Sequence, residues 1–206
     1  AGLDARARSR ELGVRGGGVA VSAPTTRELR QRPIVAVHTG DGKGKTTAAL
    51  GMALRSWAQG WDVGVYQFVK SAKWRTGEQE AFASLPERGG LTWEKMGTGW
   101  SWSRAHTAVD PAEQAGEGWR SIREGLAEER HRFWLLDEFT YPLAWGWIDV
   151  AEVVEALGSR PGRQHVVITG RRCPQELIDA ADLVTEMTLV KHPFQQGQRG
   201  QAGIEW

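Results

Sequence analysis

The residues best equipped for chemistry lie near position 40. Gly40-Asp41-Gly42-Lys43-Gly44-Lys45-Thr46 follows a short apolar run and opens a helical stretch, and it reads as a phosphate loop of the G-x-x-x-x-G-K-[ST] kind. Glycines let such a loop curl so that backbone N–H groups converge on phosphate oxygens, and the helix behind it adds its positive end. On this reading Gly40, Asp41, Gly42, Lys43, Gly44, Lys45, Thr46 and Thr47 surround the phosphates of a nucleotide. Lys45 supplies a full charge, and the Thr46 hydroxyl ligates a phosphate-held Mg2+ (or Mn2+) ion. A second acidic element, Asp137-Glu138, ends the apolar run Phe133-Trp134-Leu135-Leu136. Carboxylates there share a sheet edge with the loop, where ligands bind in doubly wound folds. One of Asp137 and Glu138 is expected to hold the metal, and the residues leave open which. Arg55, on the helix behind the loop, and Arg171, after Val166-Val167-Ile168-Thr169-Gly170, are further candidates for phosphate contact. These groups predict binding of a nucleoside triphosphate and Mg2+. They do not separate motors, kinases, switches and transferases, which share such loops.

The elements that must position these groups alternate strand with helix. Apolar runs at 34–38, 62–69, 91–96, 133–138, 164–170 and 182–190 read as strands, several without polar alternation and so buried on both faces. Helices are expected at 46–60, 111–130 (opened by Asp110-Pro111), 149–160 and 173–181. Strands separated by helices of this length need crossovers, hence a mainly parallel sheet covered on both faces. The expected fold is a three-layer α/β domain of the RecA-like P-loop class over residues 34–206. Residues 1–33, with seven Arg and a Gly16-Gly17-Gly18 run, read as a flexible basic arm carrying a short helix near 4–12.

Composition narrows the field. The 206 residues are 40% hydrophobic with a formal net charge of +1, which argues against a disordered chain or a polyanion-coating protein. No apolar stretch approaches a membrane span of about 18 residues, and no apolar run follows the N-terminal arginines, so neither a span nor a secretory signal is expected. Cys173 is the only cysteine. An internal disulfide and a Cys-cluster metal site are thereby excluded, and a cytoplasmic setting is expected. Placed at a helix start, Cys173 is a candidate for a lowered thiol pKa, with no chemistry assigned to it. Tryptophan is in excess, with 11 against 5 Phe and 2 Tyr; rigid indoles pack cores and also stack on planar ligands.

Several segments beyond the loop, taken together and in order, resemble the ATP:corrinoid adenosyltransferases of the CobA/CobO/BtuR type. They are 39–49, 63–70, Gly97-Thr98-Gly99-Trp100-Ser101-Trp102, 135–141, 160–186, Val190-Lys191-His192-Pro193-Phe194 and 203–206. The resemblance implies transfer of the 5′-deoxyadenosyl group of ATP to cobalt: Co(I) attacks C5′ and triphosphate leaves intact. Lys45, with the metal on Thr46 and on Glu138 or Asp137, then stabilises charge growing on the leaving group. It also implies a role for Trp100 and Trp102 below the corrin ring. Spaced by one residue on one side of an extended segment, they would exclude the lower axial ligand and ease reduction of Co(II), since axial ligation sets metal potentials. The implied acceptor is cobalamin, cobinamide or cobyrinic acid a,c-diamide, the implied reductant a flavoprotein and the implied assembly a homodimer. His192 is expected to be structural, because displacement by Co(I) needs no general base. Competing readings are a small-molecule kinase on the same fold, which would release ADP, and a RecA-like ATPase acting on nucleic acid. The second is opposed by the net acidic character of the chain past residue 33, and no nucleic-acid or membrane partner is expected.

Overall fold

The computed structural model describes residues 23–70, 76–86, 88–97 and 110–204. The chain divides into two compact units, 1–31 and 32–206. Of the first, the described part is a one-turn helix, α1 (Thr26–Leu29), closed by a capping box between Thr25 and Glu28.

The second unit holds one parallel sheet. Its strands are β1 (Val35–Thr39), β2 (Val63–Gln67), β3 (Leu91–Lys95), β4 (Phe133–Asp137), β5 (His165–Thr169) and β6 (Leu183–Glu186), in the order β3-β2-β4-β5-β1-β6. All five pairings are parallel. The connecting helices are α2 (Lys45–Ala58), α3 (Gly77–Ser84), α4 (Pro111–Ala127), α5 (Thr140–Ala144), α6 (Val150–Ser159) and α7 (Gln175–Ala180). β1, β2 and β4 are buried at every position, as unbroken apolar runs demand when helices cover both faces.

Two apolar cores flank the sheet. One gathers Val37, Tyr66, Phe68, Trp119, Ile122, Trp134, Phe139 and Ile168 beneath α4 and α6. The other gathers Ala49, Leu50, Ala53, Trp57, Val65 and Leu135 beneath α2. α4 shows how sequence directs this packing. Asp110 caps it by accepting from the Ala112 N–H, and Pro111 takes the first turn, where its missing N–H costs nothing. Its buried residues Ala115, Gly118, Trp119, Ile122, Gly125 and Leu126 recur every three or four positions and form one stripe. None of the seven described tryptophans is exposed, so packing accounts for most of the excess. No helix among the described residues is long and apolar enough to cross a membrane.

The fold agrees with the expected three-layer α/β class, with local corrections. The helices α3 and α5 are short and lie where no element was expected. The strand expected over 182–190 pairs with β1 only through Leu183–Glu186. Beyond it the Met187 carbonyl is drawn to the Gly42 N–H at 2.6 Å, so the chain leaves the sheet edge to buttress the glycine loop. The expected helix at 4–12 lies outside the described residues.

Candidate functional site

The loop between β1 and α2 has three residues, 41–43, between Gly40 and Gly44. The consensus spacing has four, so its first position falls on Thr39 and the loop is a shortened variant of the pattern. Gly40 and Gly44 take φ of +90° and +102°, values that glycine adopts without a steric penalty. α2 begins with Gly44 as N-cap and has no side chain on its first N–H groups. The positive end of the helix is thereby left for an anion. Lys45 is buried, and its Nζ donates to the Gly40 carbonyl at 2.8 Å and the Gly42 carbonyl at 2.6 Å. Burial, and then the neighbouring Arg171 charge, lower its pKa from the ordinary lysine value. A phosphate would reverse that pressure by supplying compensating charge.

Asp137, at the end of β4, is wholly buried and is the hub of the site. Oδ1 accepts from the hydroxyls of Thr46 and Thr169, both at 2.7 Å, and Oδ2 from Gln67 Nε2 at 2.9 Å and Lys70 Nζ at 3.0 Å. Burial alone would favour the neutral acid. The Lys70 ammonium and the two hydroxyls outweigh it and hold the Asp137 carboxyl below the usual carboxylate range. Glu138 differs. Its backbone is left-handed, with φ of +59°, a conformation that non-glycine residues seldom adopt outside tightly determined sites. Its N–H is fixed on Thr169 Oγ1 at 3.0 Å, while its Oε2 is buried with no partner among the described residues. Burial and the adjacent Asp137 charge push its pKa to about 7. A buried carboxylate oxygen so placed can ligate a cation or accept from a donor. With Asp137 and the Thr46 hydroxyl it offers the hard oxygen donors that Mg2+ prefers. Among the described residues no group of three or more His, Cys, Asp or Glu forms a metal cage.

The structure thus brings Lys45, Thr46, Asp137 and Glu138 together. Arg171 joins them through the loop, its Nε 4.0 Å from Asp41 Oδ1, and its charge is felt by both Lys45 and Glu138. Thr47 is the third residue of α2 and is exposed. Arg55 is not brought in. It stands exposed in the last turn of α2, about 15 Å along the axis from Lys45. Trp100 and Trp102 lie outside the described residues. Burial pushes the Cys173 thiol up to about 11, against the lowered value a helix start suggests. His192 accepts from the Phe194 N–H at 3.1 Å and caps a 3-10 turn over Pro193–Gln196.

Sequence reasoning missed Lys70, Gln67 and Thr169. The signal was available for Lys70 and Thr169, since Lys70 directly follows the expected strand 62–69 and Thr169 ends β5, at the same sheet edge as Asp137. Gln67 carried no such signal, because the expected strand 62–69 placed it in the interior, whereas β2 ends on it, in register with Asp137.

The sequence comparisons agree with this geometry. The family model described as ATP:corrinoid adenosyltransferase BtuR/CobO/CobP matches residues 31–206. The chain is 40% identical over 186 residues to the corrinoid adenosyltransferase of Escherichia coli (strain K12), covering 90% of this chain and 92% of that protein. It is 39% identical to the corrinoid adenosyltransferase CobA of Salmonella typhimurium, with the same coverage. It is also 39% identical to the corrinoid adenosyltransferase of Pseudomonas aeruginosa, over 85% of each chain. A phosphate loop backed by a hydrogen-bonded Thr46–Asp137 pair, on a chain matched over this length, places the protein within one group of transferases: it belongs to the ATP:corrinoid adenosyltransferase family.

Proposed function

We propose that the chain transfers the 5′-deoxyadenosyl group of ATP to the Co(I) centre of a corrinoid and releases triphosphate, in the making or salvage of coenzyme B12. The observation that carries this reading is the convergence of Thr46, Thr169, Gln67 and Lys70 on Asp137 beside the lysine-bearing loop. Co(I), on the substrate, attacks C5′ of the ribose with its electron pair. The C5′–O bond breaks, and its electrons depart with the triphosphate. No proton moves at carbon, so the chain needs no general base. Its task is to hold the nucleotide and stabilise negative charge on the departing oxygens.

Lys45 and the uncapped N–H groups of α2 serve that task. The Lys45 ammonium, now on two loop carbonyls, exchanges neutral acceptors for anionic phosphate oxygens and gains their Coulombic attraction. Thr46, Asp137 and Glu138 would hold Mg2+, and the orphaned Glu138 oxygen supports that assignment. When bound, the ion neutralises part of the charge developing on triphosphate. Asp137 orients the Thr46 hydroxyl, and Lys70 keeps Asp137 ionised.

Trp100 and Trp102 lie below the corrin, excluding water and the lower base, so that Co(II) accepts an electron more readily. The acceptor is cobalamin, cobinamide or cobyrinic acid a,c-diamide, and a reduced flavoprotein supplies the electron. Residues 34–206 form the catalytic domain, preceded by the basic N-terminal arm of residues 1–33. The protein works in the cytoplasm as a homodimer. The apolar side chains exposed on β6, Leu183 and Val184, support a contact with a second copy.

The test is anaerobic incubation with ATP, Mg2+ and chemically prepared cob(I)alamin. The spectrum should convert to that of an alkylcobalamin that light cleaves. ATP consumption with no light-sensitive product would refute the assignment.

A further inference from the structure

A row of polar groups crosses the C-terminal edge of the sheet and reaches a strand that the chemistry above does not use. On β3, Trp93 is the register partner of Val65 of β2. Gln67, two residues further along the same face of β2, is the register partner of Asp137. The Trp93 indole Nε1–H donates to Gln67 Oε1 at 3.0 Å, and Gln67 Nε2 donates to Asp137 Oδ2 at 2.9 Å. Asp137 Oδ1 in turn accepts the Thr46 hydroxyl at 2.7 Å. Side chains from three adjacent strands and from α2 are thus joined end to end.

The polarity of this row is forced by its ends. An indole nitrogen can only donate, and an ionised carboxylate can only accept. The Gln67 amide, which is 1% exposed, offers one group of each kind, so a single orientation pairs it with both neighbours. Turned over, it would set its oxygen against the carboxylate and its N–H groups against the indole N–H. In a buried site neither conflict is relieved by water. Trp93 is itself held, its ring centroid 5.9 Å from that of Phe82 with the planes at 54°, against the core beneath α2. The Asp137 carboxylate also accepts from Lys70 and Thr169, so each oxygen has two donors and its plane is fixed. With its one proton committed to Asp137, the Thr46 hydroxyl keeps its lone pairs for a cation.

We infer that Trp93 is a positioning residue for the metal end of the site. Its indole N–H locks the Gln67 amide as a donor to Asp137, and Asp137 so held orients the Thr46 hydroxyl. The inference rests on the nucleotide-and-metal reading of the loop and extends the support of that site across the sheet to β3.

The experiment is calorimetric titration of the full chain with ATP, once with Mn2+ and once with EDTA, for the parent, Trp93→Phe, Gln67→Leu and the double variant. Trp93→Phe keeps a ring against Phe82, and thermal unfolding verifies that each variant folds. Loss of an outer partner of a metal ligand typically lowers metal affinity about 10–100-fold. Trp93 lies further out, so Trp93→Phe should weaken Mn2+–ATP about 5-fold, while metal-free ATP changes less than about 2-fold. In the Gln67→Leu background no amide remains to be oriented, and Trp93→Phe should weaken Mn2+–ATP by less than about a further 2-fold. Equal losses for both forms of ATP, no loss, or a full loss that persists beside Gln67→Leu would overturn the inference, since packing alone produces each. If Trp93→Phe fails to fold, benzothienylalanine at position 93 decides instead: sulfur replaces the N–H, the ring keeps its shape, and the same selective loss is expected. A parent that binds neither form of ATP would overturn the nucleotide reading together with this inference. The selective loss in a chain that makes no organocobalt product would sustain the role of Trp93 and reject only the proposed transfer.

Discussion

Lys45 stands at the point where the loop meets the helix, and its present partners are carbonyls of its own loop. In the proposed mechanism the Lys45 ammonium binds the nucleotide and steadies the leaving group. Lys45→Ala should therefore abolish adenosylation whether the reaction starts from Co(II) with a mild reductant or from prepared Co(I). Substantial turnover in either assay would take Lys45 out of the mechanism. Trp102→Ala should separate the two assays. If the indole keeps the lower ligand off cobalt, the loss from Co(II) far exceeds the loss from Co(I); equal losses would mean that it serves binding alone. Much of this residue-scale account was legible in the sequence, because Lys45, Thr46 and Asp137 are marked by the chemistry of the loop and by the end of an apolar strand. The Asp137 network was not. Lys70 and Thr169 reach Asp137 only because parallel pairing sets β2 and β5 on either side of β4, and pairing order is a property of tertiary structure. The shortened loop was readable by counting alone.

At the scale of elements, the segment after β6 decides the shape of the loop. Met187 and Thr188 present backbone carbonyls within 2.6 and 2.7 Å of a Cβ placed on Gly42. Neither atom can swing aside as a side chain would. Gly42→Ala should cost about 1–3 kcal/mol of stability from forced backbone displacement and weaken ATP binding, read by thermal unfolding with and without nucleotide. An unchanged melting temperature would show that the segment gives way freely. The same contact explains why pattern reading ran β6 too long. The apolar run 182–190 has strand composition throughout, but its second part is claimed by the loop. The helices α4 and α6 were placed well, since Asp110 and Asp149 each cap the first turn by accepting a backbone N–H and the apolar stripe follows. α3 and α5 were missed for the opposite reason. Each is short, and α5 begins on the turn that the left-handed Glu138 creates.

Across the whole molecule, buried ionisable groups tie stability to pH. His131 lies in the core beside Tyr66, its Nε2 2.9 Å from the phenol oxygen, and burial followed by the Arg130 charge lowers its pKa to about 4. The unfolded chain, with an ordinary histidine near 6.5, binds the proton first. The neutral imidazole thus contributes full stability above pH 6.5, which is lost as pH falls toward 4. Glu138, raised to about 7, acts in the opposite sense over much of this range, because the native state takes up its proton before the unfolded chain does. Comparison with a His131→Gln variant isolates the histidine: urea midpoints of the parent should fall more between pH 7 and 5 than those of the variant. Parallel midpoints would remove His131 as a source of acid sensitivity.

The whole account turns on which bond of ATP breaks, and isotopic labelling reads that directly. ATP labelled with 13C at C5′ and 32P at the γ-phosphate is incubated anaerobically with the chain, Mg2+ and reduced corrinoid. The account predicts that the carbon label appears bonded to cobalt while the phosphorus label emerges in tripolyphosphate, in equal amounts. Labelled orthophosphate or a phosphorylated acceptor alongside ADP, with the C5′ carbon still in the nucleotide, would contradict it.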